Sequence, residues 1–165
     1  MNAKLLIDGK EFDIEILDPK LQELLAPPKK KTGYEKNLDG TYYYDDCGRV
    51  ECEEHTCYFD DDVYTAANYY SDKYVAEDNA RADKLMRQLR RFAVEHRKTE
   101  LNWKQFTDKW FIYYDYSSED IETSCDDHTK TFGTIYFDSM VVADDAINTF
   151  HDELIWYFTE YKDSL

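Results

Sequence analysis

The chain has 165 residues and an apolar fraction of 42%, enough to bury a core without a covalent staple and too much for wholesale disorder. Asp and Glu number 36 against 20 Lys and Arg, so the net charge is −16, a field that repels nucleic acid and anionic membranes and attracts basic proteins. The opening MNAKLLIDGKEF has no signal-peptide apolar region, because Asp8 and Gly9 interrupt it, and no stretch approaches the roughly 20 apolar residues of a membrane span. A cytoplasmic location is therefore expected, with Cys47, Cys52, Cys57 and Cys125 reduced.

In chain order, Ala3, Leu5 and Ile7 alternate, then Phe12, Ile14 and Ile16, with Asp8-Gly9 between them. This predicts a two-strand hairpin whose turn suits positive φ. Asp18-Pro19 reads as a helix N-cap followed by proline at the first helical position, with Leu21, Leu24 and Leu25 on one face. Residues 1–25 thus form a hairpin-helix element, and the Pro- and Lys-rich stretch 26–33 a linker.

Two units of similar order are expected next, 34–98 and 99–165. In the first, TGYEKNLDGTYYYDD reads as a strand, an Asp39-Gly40 turn and a Tyr-rich strand, followed by a turn at Asp46-Cys47-Gly48 and the strand RVECEE. A loop with Asp60, Asp61 and Asp62, a short strand ANYYS, and a helix from Ser71 or Asp72 to about Lys98 complete it. Val75, Ala76, Leu85, Met86, Leu89, Phe92 and Ala93 give that helix its apolar spacing. In the second, KWFIYYDY, a Ser117-Ser118 turn, DIETS and GTIYF read as strand, turn, strand and strand. A helix from Asp138 or Ser139 follows, with Val142, Ala143, Ala146, Ile147, Phe150, Leu154, Phe158 and Tyr161 as its buried stripe.

YYSDKYVAEDNA (69–80) matches YFDSMVVADDAI (136–147) at a spacing of 67, and CEEHT (52–56) matches CDDHT (125–129) at 73. A six-residue length difference in the loop carrying Asp60–Asp62 reconciles the two spacings. The expected fold is α+β: tandem duplicated β-β-β-α units, an antiparallel sheet with helices packed on it, behind an N-terminal hairpin and short helix.

No catalytic motif stands out: there is no glycine-rich phosphate loop, no Gly-x-Ser-x-Gly and no His-Glu-x-x-His. A non-enzymatic protein without a cofactor is expected. Cys52, His55, Cys125 and His128 form a paired Cys-x-x-His, a ligand set zinc accepts, although the same letters suit two solvated acidic turns. Residues 84–98 concentrate Lys84, Arg87, Arg90, Arg91, Arg97 and Lys98 against Glu95. They read as cations that complement a helix C-terminus and neutralise acidic neighbours, or as a basic ridge that grips a phosphate.

The carboxylates are the stronger functional lead. Glu53, Glu54, Asp60, Asp61, Asp62, Glu119, Asp120, Asp126 and Asp127 are the candidate partner-binding acids, with Tyr58, Phe59, Tyr64, Trp103 and Trp110 as aromatic anchors. DNA carries one negative charge per roughly 1.7 Å of axis, and a folded surface studded with carboxylates copies part of that pattern. The plain alternative is that acidity serves solubility.

KTGYEKNLDGTYYYDDCGRV, NYYSDKYVAEDNARADKLMRQLRRFA and FGTIYFDSMVVADDAI, behind the AKLLIDGKEF hairpin, resemble small acidic accessory proteins of Gram-positive phages and integrated elements. The resemblance implies an inhibitor of host defence, of the anti-CRISPR or anti-restriction kind. Its partner would be a basic nucleic-acid-binding host protein, such as a CRISPR effector or other defence nuclease. Neither membrane binding nor direct nucleic-acid binding is expected. The alternative is a phage accessory module that binds a ligand or regulates genes, with incidental acidity.

Overall fold

The computed structural model describes residues 2–7, 10–15, 17–20, 31–37, 40–54 and 58–161. It separates into two compact units, Met1–Lys31 and Thr32–Leu165.

In the first unit, β1 (Asn2–Ile7) and β2 (Lys10–Glu15) pair antiparallel in the register Ile7↔Lys10 to Asn2↔Glu15. Lys4 and Glu11 form an exposed ion pair at 2.9 Å. Asp18 accepts a hydrogen bond from the Lys20 amide at 2.8 Å, the contact expected of an N-cap. The Asp8-Gly9 turn, the Leu21, Leu24 and Leu25 face and most of the 26–33 linker lie outside the described residues.

The second unit is built of two hairpin-plus-helix halves, so the protein is α+β. The first half contains β3 (Thr41–Asp46), β4 (Arg49–Glu54), α1 (Tyr58–Thr65) and α2 (Lys73–Glu95). The second contains β5 (Lys109–Asp115), β6 (Asp120–Asp126) and α3 (Met140–Thr159). The β3–β4 turn is the two-residue Cys47-Gly48, both at positive φ (55° and 93°). That turn matches the twist of the flanking strands, and glycine at its second position takes positive φ without strain.

Four expectations are corrected. The strand expected before Gly40 is irregular in the described residues 31–37. The third strand of each unit shrinks to one antiparallel bridge, Tyr43↔Tyr70 in the first half and Trp110↔Phe137 in the second. In the first half, the Asn68 side chain bonds both the amide and the carbonyl of Asp45, at 2.8 and 2.9 Å. It substitutes for the next rung of the ladder. The loop around Asp60–Asp62 is instead α1, with Asp60 and Asp61 in its first turn, where carboxylates favour the positive end of the helix dipole.

The fourth correction concerns lengths. Tyr43 and Trp110, Tyr70 and Phe137, and the N-caps Asp72 and Ser139 are each 67 positions apart, while Cys52 and Cys125, paired with Tyr43 and Trp110, are 73 apart. The first half does have six more residues between its hairpin and its bridge, and they carry α1. The second half has six more within its hairpin, as two further strand pairs and a longer turn. Two compensating differences replace the single one expected.

Both long helices start where expected. Asp72 accepts from the Tyr74 and Val75 amides, and Ser139 from the Val142 amide. Ala76, Ala80, Ala82, Leu85, Leu89 and Ala93 are buried on α2, and Val142, Ala143, Ala146, Leu154 and Trp156 on α3. Phe150 breaks helical geometry within α3 (φ −117°, ψ 20°) and meets Phe92 edge-on at 5.7 Å. Leu85, Leu89 and Ala93 of α2 share one core with Ile121, Phe137 and the α3 stripe, against which Trp110, Ile112 and Tyr114 of β5 also pack. A second, smaller cluster joins Tyr42, Tyr44, Tyr69 and Val63 of α1.

Candidate functional site

β3 has a neighbour on each side, β4 and the Tyr70 bridge, so β4 is left as an edge. Every β4 residue except Val50 is exposed. Glu51, Glu53 and Glu54 make no ion pair among the described residues, and carboxylates there also guard an open edge against pairing with another chain. β6 is the corresponding edge of the second hairpin. Glu119 and Asp120 lie at its tip, Asp126 and Asp127 at its far end, six residue steps or about 20 Å away along the strand. The candidate acids therefore divide among the β4 edge, the β6 edge and α1, which carries Asp60, Asp61 and Asp62.

Asp60 does not belong to that surface. It is 1% exposed and accepts a 2.6 Å hydrogen bond from the Tyr42 hydroxyl. Helix phase turns it inward with Val63, three positions on, while Asp62 faces out. Burial, then the hydrogen bond and charge of Asp60, push the Tyr42 phenol well above its ordinary range, so it remains a donor. Glu53 lies 3.4 Å from the same hydroxyl, a weak contact beside the Asp60 bond, since one hydroxyl has one proton to give. Asp61 pairs with Lys36, and Asp62 is exposed. Tyr64 is 42% exposed, edge-on to Tyr69 at 5.5 Å, with the Lys36 ammonium 5.3 Å from its ring. The side chains of Tyr58 and Phe59 lie outside the description.

Cys52 and Cys125 hold equivalent, exposed positions in separate hairpins. His55 and Cys57 lie outside the described residues. Among those described, no three His, Cys, Asp or Glu side chains come together as metal ligands. Partial desolvation, then the charges of Asp108, Asp126 and Asp127, push the Cys125 thiol up, away from the thiolate that a metal needs. His128 is occupied with Asp127, and that hydrogen bond, above all, holds the Asp127 carboxyl below its usual range.

The basic ridge divides. Arg87 pairs with Asp45 at 3.5 Å and Arg91 with Glu95 at 3.7 Å, as the charge-balancing reading expects. Arg90 and Arg97 instead line a groove of about 350 Å³ with Lys130, Trp103 and Tyr136. Sequence reasoning missed this groove: Trp103 and Tyr136 stand out in the sequence for other reasons, and nothing in the chain order brings them and Lys130 to Arg90 and Arg97. It also missed Lys109, which is fully buried and donates to the Gln105 and Asp127 carbonyls at 2.7 and 2.9 Å. Alternation along β5 was the one available signal, since it places Lys109 on the same face as Phe111 and Tyr113.

Comparison with protein families, with curated proteins and with solved structures returned no match. No helix among the described residues is long and apolar enough to cross a membrane.

Proposed function

We propose that the protein is a non-enzymatic, phage-derived inhibitor of a host defence nuclease. In this reading it acts in the bacterial cytosol and occupies the basic nucleic-acid channel of an anti-CRISPR target through an acidic, DNA-mimicking surface. The observation that carries the reading is the pair of hairpin edges. Glu51, Glu53 and Glu54 on β4, and Asp120, Glu122 and Asp126 on β6, make no ion pair among the described residues. Carboxylates on one strand face repeat every two residues, or about 6.7 Å, on a rigid backbone, so their negative potential is ordered before a partner arrives. The shared order of hairpin, bridge, cap and helix, with its 67-residue spacing, fits a tandem duplication that built such an edge twice.

The test is binding of the purified protein to an RNA-guided nuclease across a salt series. Affinity falls steeply as salt rises, since attraction between exposed charges is screened over about 10 Å at 0.1 M. The combined variant Glu51→Gln, Glu53→Gln, Glu54→Gln binds about tenfold more weakly, mainly through slower association. Salt-indifferent binding that the triple variant leaves intact refutes charge mimicry.

A further inference from the structure

The geometry points to the groove between α2 and the 129–136 segment as a binding site for a single nucleotide, an aromatic body bearing one phosphate. This site lies apart from the acidic edges and does not depend on the inhibitor reading.

The floor is aromatic and held in place. Trp103 meets Tyr136 edge-on, with ring centroids 4.8 Å apart and planes at 80°. The buried Lys109 ammonium lies 5.1 Å from the Trp103 ring. The Tyr136 hydroxyl accepts from the Thr131 amide at 2.9 Å, which ties the segment bearing Lys130 to the floor. One wall is α2, where Ala93 is buried and Val94 is 63% exposed. Arg90, one turn earlier, shares that face, and Arg97 follows just past the helix end.

The cations set the ligand's charge. Arg90, Arg97 and Lys130 make no ion pair among the described residues, although the chain carries far more acids than bases. Three unneutralised cations converging on one groove in a protein of net charge −16 form a local inversion of its field. The C-terminal end of α2 nearby carries partial negative charge, and three full cations outweigh it. Arg presents a planar fork matched to phosphate, and the half-buried Trp103 ring offers a stacking surface that tolerates any base. The volume of about 350 Å³ lies at the lower end of the range for small-ligand pockets, suiting one nucleotide. A polynucleotide would extend its phosphates into the acidic surroundings, which favours the monomer over the polymer.

Titration of the full-length protein with adenosine 5′-monophosphate, followed by tryptophan fluorescence and by calorimetry, tests the site. Saturable binding is expected. Arg90→Ala and Lys130→Ala each weaken it about tenfold, as loss of a charged hydrogen bond does, and neither exposed side chain is needed for folding. Arg91→Ala, in an ion pair with Glu95, leaves it unchanged. Trp103→Leu weakens binding and Trp103→Phe restores it. The proposal is overturned by no saturation up to about 1 mM nucleotide. It is equally overturned if adenosine or inorganic phosphate alone binds as tightly, since one half of the site is then idle. Tighter binding of a ten-nucleotide oligothymidylate also overturns it, by making the ligand a polymer.

Discussion

Tyr42 and Lys109 stand at corresponding places, each one residue before the bridge-forming aromatic of its hairpin, and each is 0% exposed. The position requires a long side chain that ends in a donor, and the two halves satisfy it differently. Tyr42 stacks on Tyr69 at 4.4 Å and gives its proton to Asp60, a residue of α1 that has no counterpart in the second half. Lys109 gives its protons to two backbone carbonyls instead. Buried polar groups are kept only with partners, so an extra helix in one half is matched by an altered side chain in the other. Tyr42→Phe keeps the ring and deletes this donor to a buried carboxylate. It is expected to cost about 1–3 kcal/mol in urea unfolding, and a loss below about 0.5 kcal/mol would contradict the pairing. None of this was legible in the Asp60-Asp61-Asp62 run. Identical letters take different roles according to helix phase, and the helix was itself read as a loop.

At the scale of elements, the helix starts were legible and the third strands were not. An N-cap is a local bond between a side chain and amides two or three residues on, so Asp72 and Ser139 announce it within one turn of sequence. A strand needs a partner from elsewhere. The Tyr69-Tyr70 and Tyr136-Phe137 segments have strand-like residues but find only one rung each. A carboxylate clamps the chain immediately after each rung. Glu35 accepts from the Thr32 amide (2.6 Å), the Gly33 amide (3.0 Å) and the Ser71 hydroxyl (3.0 Å). In the second half, Asp138, 67 positions after Ser71, accepts from the Lys98 and Thr99 amides at 2.7 and 2.8 Å.

The hydrogen bond donated by the Thr32 amide, above all, lowers the Glu35 carboxyl to about 2 from an ordinary 4.5. Burial opposes ionisation of Asp138, but the Thr99 and Lys98 bonds together outweigh it and hold that carboxyl low as well. A carboxyl depressed in the folded state contributes stability that is full above its unfolded pKa and lost as pH falls through its folded one. Melting temperature is therefore expected to fall between about pH 4.5 and pH 2. Glu35→Gln flattens that acid limb in a Tm-versus-pH series, and an unchanged limb would exclude the clamp.

For the whole Thr32–Leu165 unit, the sharing of one core decides behaviour. Leu85 and Leu89 come from the first half, Ile121, Phe137 and Leu154 from the second, and all are buried in the same cluster. Trp156 extends this union, since the guanidinium of Arg81 on α2 lies 3.9 Å from its ring. Leu89→Ala is expected to cost about 2–5 kcal/mol and to lower the unfolding of both halves together. Tryptophan fluorescence and far-ultraviolet circular dichroism should then give one coincident transition. Two separated transitions would mean that the halves fold independently.

By itself the sequence determined the α+β class, the hairpin turns at Cys47-Gly48 and Ser117-Ser118, both long helices with their caps, and most of the apolar stripes. Each depends on periodicity or on bonds spanning a few residues, which chain order alone specifies. Only the tertiary structure decided that Asp60 is interior, that Lys109 is sealed among carbonyls, and that Arg90, Arg97 and Lys130 converge on Trp103 and Tyr136. Burial and charge convergence depend on which distant segments meet, and long-range packing rather than local composition sets those meetings.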